Sequence, residues 1–161
     1  MTAQDVLQLL GLEPLPGEGG FYRETYRSAV RVLGPGGAER AAATAIYFLL
    51  TPDSFSALHR LPTDEVYHFY LGDCVELLLL PPSGPGQVVL LGTDLQAGQR
   101  PQVVVPAGAW QGSRVRPGGT FALLGTTVAP GFEFCDFEPG AREELLAQFP
   151  DFTGLITALT R

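Results

Sequence analysis

Lysine is missing altogether from these 161 residues. Schiff-base chemistry on a lysine amine and phosphate binding by a P-loop lysine are therefore excluded. Cysteine is nearly absent. Cys74 and Cys135 are the only two and neither belongs to a CxxC pair, so a thiolate zinc site is not expected. No apolar run approaches the roughly 18 residues of a membrane span, and no charged-then-apolar segment opens the sequence. These absences lead us to expect a cytoplasmic protein with both thiols reduced. Positive charge is also scarce, with a net charge of -7. A nucleic-acid or anionic-membrane surface needs a basic patch, so neither partner is expected.

Glycine and proline, by contrast, are plentiful. Gly 20 and Pro 14 favour many short strands joined by tight turns over a helical bundle. Hydrophobic residues at 45% are enough to bury a core, and residues 1–161 read as one domain. Thr2 to Leu10 reads as a short helix capped by Thr2 and stopped by Gly11. Glu143 to Phe149 and Phe152 to Leu159 read as two more, the second capped by Asp151. Between them the pattern is of strands. In GGFYRETYRS, Tyr22, Glu24 and Tyr26 share one face, and Arg23, Thr25 and Arg27 the other. Gly72-Asp73 reads as a hairpin turn with Val75 to Leu80 as its return strand. The expected architecture is all-β, a double-sheet barrel with short terminal helices.

The stretch HRLPTDEVYHFYLG, from His59 to Gly72, holds the most chemistry. Alternation places Glu65, Tyr67 and Phe69 on one strand face and Val66, His68 and Tyr70 on the other. A His and a Glu inside an apolar sheet are costly to desolvate unless they meet a partner, a metal or a ligand. His68, facing away, reads as a structural histidine.

His59, Glu65 and Gly72 resemble the first motif of the cupins, His-x-His, three or four residues, Glu, six residues, Gly. Leu61 stands where the second histidine belongs. Pro106 and Gly108 are similar to the second cupin motif, with Gln111 in the place of its histidine. The resemblance implies a cupin jelly roll, a double-stranded β-helix. Its metal set is here reduced to His59, Glu65 and Gln111. A glutamine carbonyl is a poor ligand for transition metals, so no cofactor or stoichiometric metal is expected, and any ion at these three residues would be weakly held.

RETYRS, HRL, DEVYHFYLGD, GQRPQVVVPAGAWQ and APGFEF together resemble one cupin branch, long described as a domain of unknown function and as predicted sugar epimerases. The similarity runs from about Leu9 to Phe137. More distantly, GGFYRETY, SALHRL and PAGAWQG are similar to segments of the dTDP-4-keto-6-deoxyhexose 3,5-epimerases. That likeness implies that His59 is the base removing a proton beside a ketone, and that Arg23 meets the substrate's phosphates. The acid of that family is a tyrosine on a later strand, and no tyrosine follows Tyr70 here. Glu65, Glu133 and Asp136 are all candidates for the carboxylate that partners the base.

Such chemistry needs a base that titrates near neutrality, which imidazole provides. It also needs donors for the enolate, from Gln111 or from Tyr22, Tyr26 or Tyr67. Phe69, Trp110 and Phe132 could exclude water, although Trp110 also reads as a core aromatic. The expected binding set is Tyr22, Arg23, Glu24, Tyr26, Tyr67, Trp110, Gln111 and Glu133, with His59 and Glu65 catalytic. The expected ligand is sugar-like or nucleotide-sugar-like. The alternatives are a non-catalytic binder of the same fold and a metal-dependent cupin enzyme. A homodimer is expected, with the GGFYRETY strand crossing to the partner.

Overall fold

Thr2 starts the first helix as its sequence demands. In the computed structural model, which describes residues 1–161, α1 spans Ala3–Leu10. Thr2 Oγ1 accepts the Asp5 N–H at 3.2 Å, and the Asp5 carboxylate accepts the Thr2 N–H at 2.7 Å. This reciprocal cap satisfies two otherwise orphaned donors. Gly11 closes the helix with φ 61, a left-handed conformation that favours glycine.

Thirteen strands follow. In chain order they are β1 (Glu13–Pro14), β2 (Phe21–Arg27), β3 (Arg31–Leu33), β4 (Glu39–Ala41), β5 (Thr44–Leu50), β6 (Ser56–Arg60), β7 (Asp64–Gly72), β8 (Val75–Leu80), β9 (Gln87–Leu91), β10 (Gln102–Val105), β11 (Trp110–Val115), β12 (Ala122–Ala129) and β13 (Glu138–Pro139). One sheet has the order β1-β2-β5-β12-β7-β10 and the other β13-β6-β11-β8-β9, while β3 and β4 form a small separate ribbon. From β5 to β8, and again from β10 to β12, the chain changes sheet at every connection. This antiparallel double sheet is the expected jelly roll.

Changing sheet at every connection corrects one expectation. Gly72-Asp73 is no hairpin turn: β7 and β8 lie in different sheets. Gly72 (φ 101) packs against the Phe121 carbonyl, and the Asp73 carboxylate accepts bonds from the N–H and hydroxyl of Thr120. The corner is thus pinned to the start of β12 instead of folding back on itself. β2 pairs with β1 on one side and β5 on the other.

Alternation then sorts the side chains. Phe48, Leu50, Leu77, Leu79 and Leu124 fill the space between the sheets. The intervening residues face outward and are covered. Val6 of α1 packs on Leu49 and Leu123. Leu58, Leu78 and Leu80 lie under Leu145 and Ile156 of α2 (Arg142–Gln148) and α3 (Thr153–Ala158). Burying such a leucine contributes about 1.5–3 kcal/mol. Asp151 does not cap α3, contrary to expectation. It sits inside a 3-10 turn, Pro150–Phe152, that precedes the helix. No helix is long and apolar enough to cross a membrane.

Candidate functional site

At one end of the barrel the inward positions turn polar and a cavity of about 430 Å³ opens. β5 contributes Thr44 and Ile46, β12 Thr126 and Val128, β7 Glu65, and β6 His59. Glu18 enters from the loop before β2, and Phe132, Glu133 and Phe134 from the loop after β12.

His59 is 1% exposed. Its Nδ1 lies 2.7 Å from the Ala57 carbonyl oxygen. A carbonyl can only accept, so Nδ1 carries a proton, and the lone pair of the neutral tautomer belongs to Nε2. Nε2 is 3.9 Å from Glu18 Oε2, and the ring stacks on Phe137 at 5.0 Å between centroids. Glu18 is held in turn by the Ser56 hydroxyl, which donates to Oε1 at 2.5 Å. The imidazole is therefore fixed in tautomer and in orientation.

Glu65 is 7% exposed, and its Oε2 accepts a bond from Gln111 Nε2 at 2.8 Å. Burial raises its pKa, and the Glu18 charge pushes the same way, against smaller opposite effects from His59, Thr126 and Gln111. The carboxyl is thus biased towards its neutral form. Gln111 Oε1 is buried without a donor. Below Glu65, burial and the charges of Glu65 and Glu18 hold the Tyr67 hydroxyl well above the usual phenol range.

At the mouth, Arg27 bridges two carboxylates. It donates from Nε and Nη2 to Glu24 at 3.0 and 2.9 Å, and from Nη1 to Glu133 at 3.0 Å. The loop carrying Glu133 is tied down from beneath. Arg40, 5% exposed, pairs with the buried Asp136 and donates to the Gly131 carbonyl at 3.2 Å.

Of the residues singled out by sequence, His59, Glu65, Tyr22, Arg23, Glu24 and Glu133 lie on the cavity. Gln111 stands behind Glu65 without lining it, and Tyr67 is buried in the core. Two others lie elsewhere. Trp110 faces outward beneath the C-terminal helices, with Arg60 stacked 4.5 Å from its ring centroid. It neighbours Gln111, and adjacent strand residues point to opposite faces. Tyr26 is 55% exposed because the β2–β5 register slips between Glu24 and Tyr26. This bulge turns Arg27 inward in its place. Arg23 contributes to the wall, but its guanidinium turns to the end of α1 and donates to the Leu10 carbonyl at 3.0 Å. Asp136, a candidate partner for the base, is committed to Arg40.

The sequence offered no sign of Glu18, which sits alone among the glycines of a loop, or of the inward turn of Arg27.

The donor set does not fit a cupin metal centre. No three His, Cys, Asp or Glu side chains converge as ligands. Leu61 presents an apolar side chain to the cavity where the second histidine would stand. The Gln111 amide points an N–H, not a lone pair, at Glu65.

Residues 4–139 match the family described as the cupin superfamily (DUF985). A hypothetical protein from Leishmania major superposes with a TM-score of 0.92 at 34% identity, covering 99% of each chain. A protein from Shewanella oneidensis gives 0.88 at 40% identity, covering 100% of this chain and 98% of that one. An uncharacterised protein of Saccharomyces cerevisiae is 32% identical over 132 residues, 74% of this chain, which spans 66% of the yeast protein's length.

Proposed function

The chain belongs to the cupin superfamily, in the family described as DUF985, and from that premise we propose that its cavity is a small-molecule site. In this reading His59 is the base that epimerises or isomerises a sugar-like keto compound. The observation that carries the reading is the 2.7 Å bond from Nδ1 to the Ala57 carbonyl, which leaves Nε2 as the free base on the cavity side, beside Glu18. His59 Nε2 takes the proton next to the ketone. Glu65, biased to its neutral form, donates a hydrogen bond to the carbonyl oxygen as it becomes an enolate. Protonation of the opposite face by a water from the cavity mouth, with the His59 proton released to solvent, completes an epimerisation. Phe132 and Phe134 limit water at the mouth. We place the protein in the cytoplasm, and as a homodimer, as part of the same proposal.

The test is solvent deuterium entering the carbon next to the ketone of a keto-sugar. Exchange with the wild type and none with His59→Ala is the expected result. Binding without exchange would leave the non-catalytic reading. The Glu65–Gln111 bond favours that reading, since it ties the carboxyl to a partner before any ligand arrives.

A further inference from the structure

The charges around the cavity do not suit a phosphorylated ligand. Glu13, Glu18, Glu24, Glu65 and Glu133 line it, against Arg23 and Arg27. Neither guanidinium is at the disposal of a diphosphate. All three nitrogens of Arg27 donate within the protein, to Glu24, Glu133 and the Phe132 carbonyl. That of Arg23 lies at the end of α1, bonded to Leu10. Deeper in, Glu18 and Glu65 face the cavity with His59 as the one basic neighbour. Glu18 Oε2 meets that imidazole only at 3.9 Å, beyond hydrogen-bond distance. The inner end of the cavity therefore offers negative charge at Glu18, with no cation at hydrogen-bond distance from its carboxylate. The mouth offers an arginine already neutralised.

We propose that the ligand carries a protonated amine and no phosphate, an amino-sugar-sized cation seated against Glu18. An ammonium there would pair with the Glu18 carboxylate, a charge-assisted arrangement that a phosphate would turn into repulsion. The inference rests on the small-molecule reading above and narrows its substrate class.

His59 supplies the probe, because the chain has only one other histidine, His68, on the outward face of β7. In a His68→Gln background a single imidazole signal remains in the proton NMR spectrum. That signal is followed while D-glucosamine, D-glucose and D-glucose 6-phosphate are titrated separately at one pH and ionic strength. Glucosamine is expected to move it with an affinity about tenfold or more above that of the 6-phosphate. Glu18→Gln keeps an acceptor for Ser56 and is expected to reduce that preference to about threefold or less, whereas Glu18→Asp retains it. Thermal melts confirm that both variants are folded. Equal or tighter binding of the 6-phosphate overturns the charge assignment and leaves the small-molecule site standing, as does a preference untouched by Glu18→Gln. A signal unmoved by all three sugars at millimolar concentration overturns the sugar-sized site itself, and this inference with it.

Discussion

The two ends of the barrel are built from the same strands and differ in almost everything else. On β5, Phe48 and Leu50 close the apolar end, and Thr44 and Ile46 open the polar one. On β12 the change runs from Leu124 to Thr126, and on β7 from Phe69 to Glu65. The inward face is continuous, so one period-two pattern serves both ends. What changes is whether the inward residue can be satisfied by packing alone. The apolar end needs nothing from outside. The polar end leaves Gln111 Oε1 buried without a partner and sets the Glu18 and Glu65 charges against each other. Stability and chemistry are thus divided along the length of the strands, not between separate layers.

That division can be broken most sharply by paired substitutions, one at each end. Leu77→Ala, at the apolar end, should cost about 2–5 kcal/mol of stability, measured by urea unfolding, with proton exchange in the surviving folded fraction close to normal. His59→Ala should do the opposite, lowering exchange by about a hundredfold or more while the melting temperature stays near that of the wild type. If Leu77→Ala abolishes exchange in folded protein, the two ends are not independent.

A smaller effect is expected at the rim. Arg40→Met leaves Asp136 buried without its cation, so the loop from Gly131 to Asp136 loses its tie. Ligand affinity should fall several-fold and protease cleavage should appear first in this loop, before global unfolding.

The third effect is in pH. The Glu65 pKa in the folded protein lies above its ordinary 4.5. Between the two values the native state binds more protons than the unfolded one, so this group's contribution favours folding below about 4.5 and is lost as pH rises through the native pKa. Asp73 and Glu138, whose pKa values are lowered, act with the opposite sign at lower pH. The difference between the wild type and Glu65→Gln isolates the term. The variant should gain stability relative to the wild type as pH rises from 4.5 towards neutrality. A pH-independent difference would show that Glu65 does not titrate as described.

The smallest effect belongs to His68→Gln. This residue faces outward, and its ring nitrogens reach only Thr127 at 3.3 Å and Gln102 at 3.4 Å. A change within about 0.5 kcal/mol and unaltered exchange are expected.

Parity made most of this molecule legible. Glu65 and Tyr67 inward, with His68 outward, follows from alternation alone, and so does the jelly roll once glycine and proline are seen between short apolar runs. Trp110 beside Gln111 could have been assigned by the same rule, since both cannot face the cavity. The harder residues broke the period or lay outside it. Tyr26 and Arg27 exchange faces at a bulge that no residue type announces, and Glu18 reaches His59 from a loop that has no period. The corner at Gly72 looked like a hairpin because a tight turn between two strands is the same sequence whether they pair or part.

The bulge between Glu24 and Tyr26 is slack in β2, one residue more than the partner strand has to pair. Removing Thr25 would restore plain alternation with Tyr26 still opposite Ala45 and Arg27 still opposite Thr44, so the salt-bridged rim would outlast the deletion. The length of the strand and the lining of the cavity mouth are thereby uncoupled at this one point.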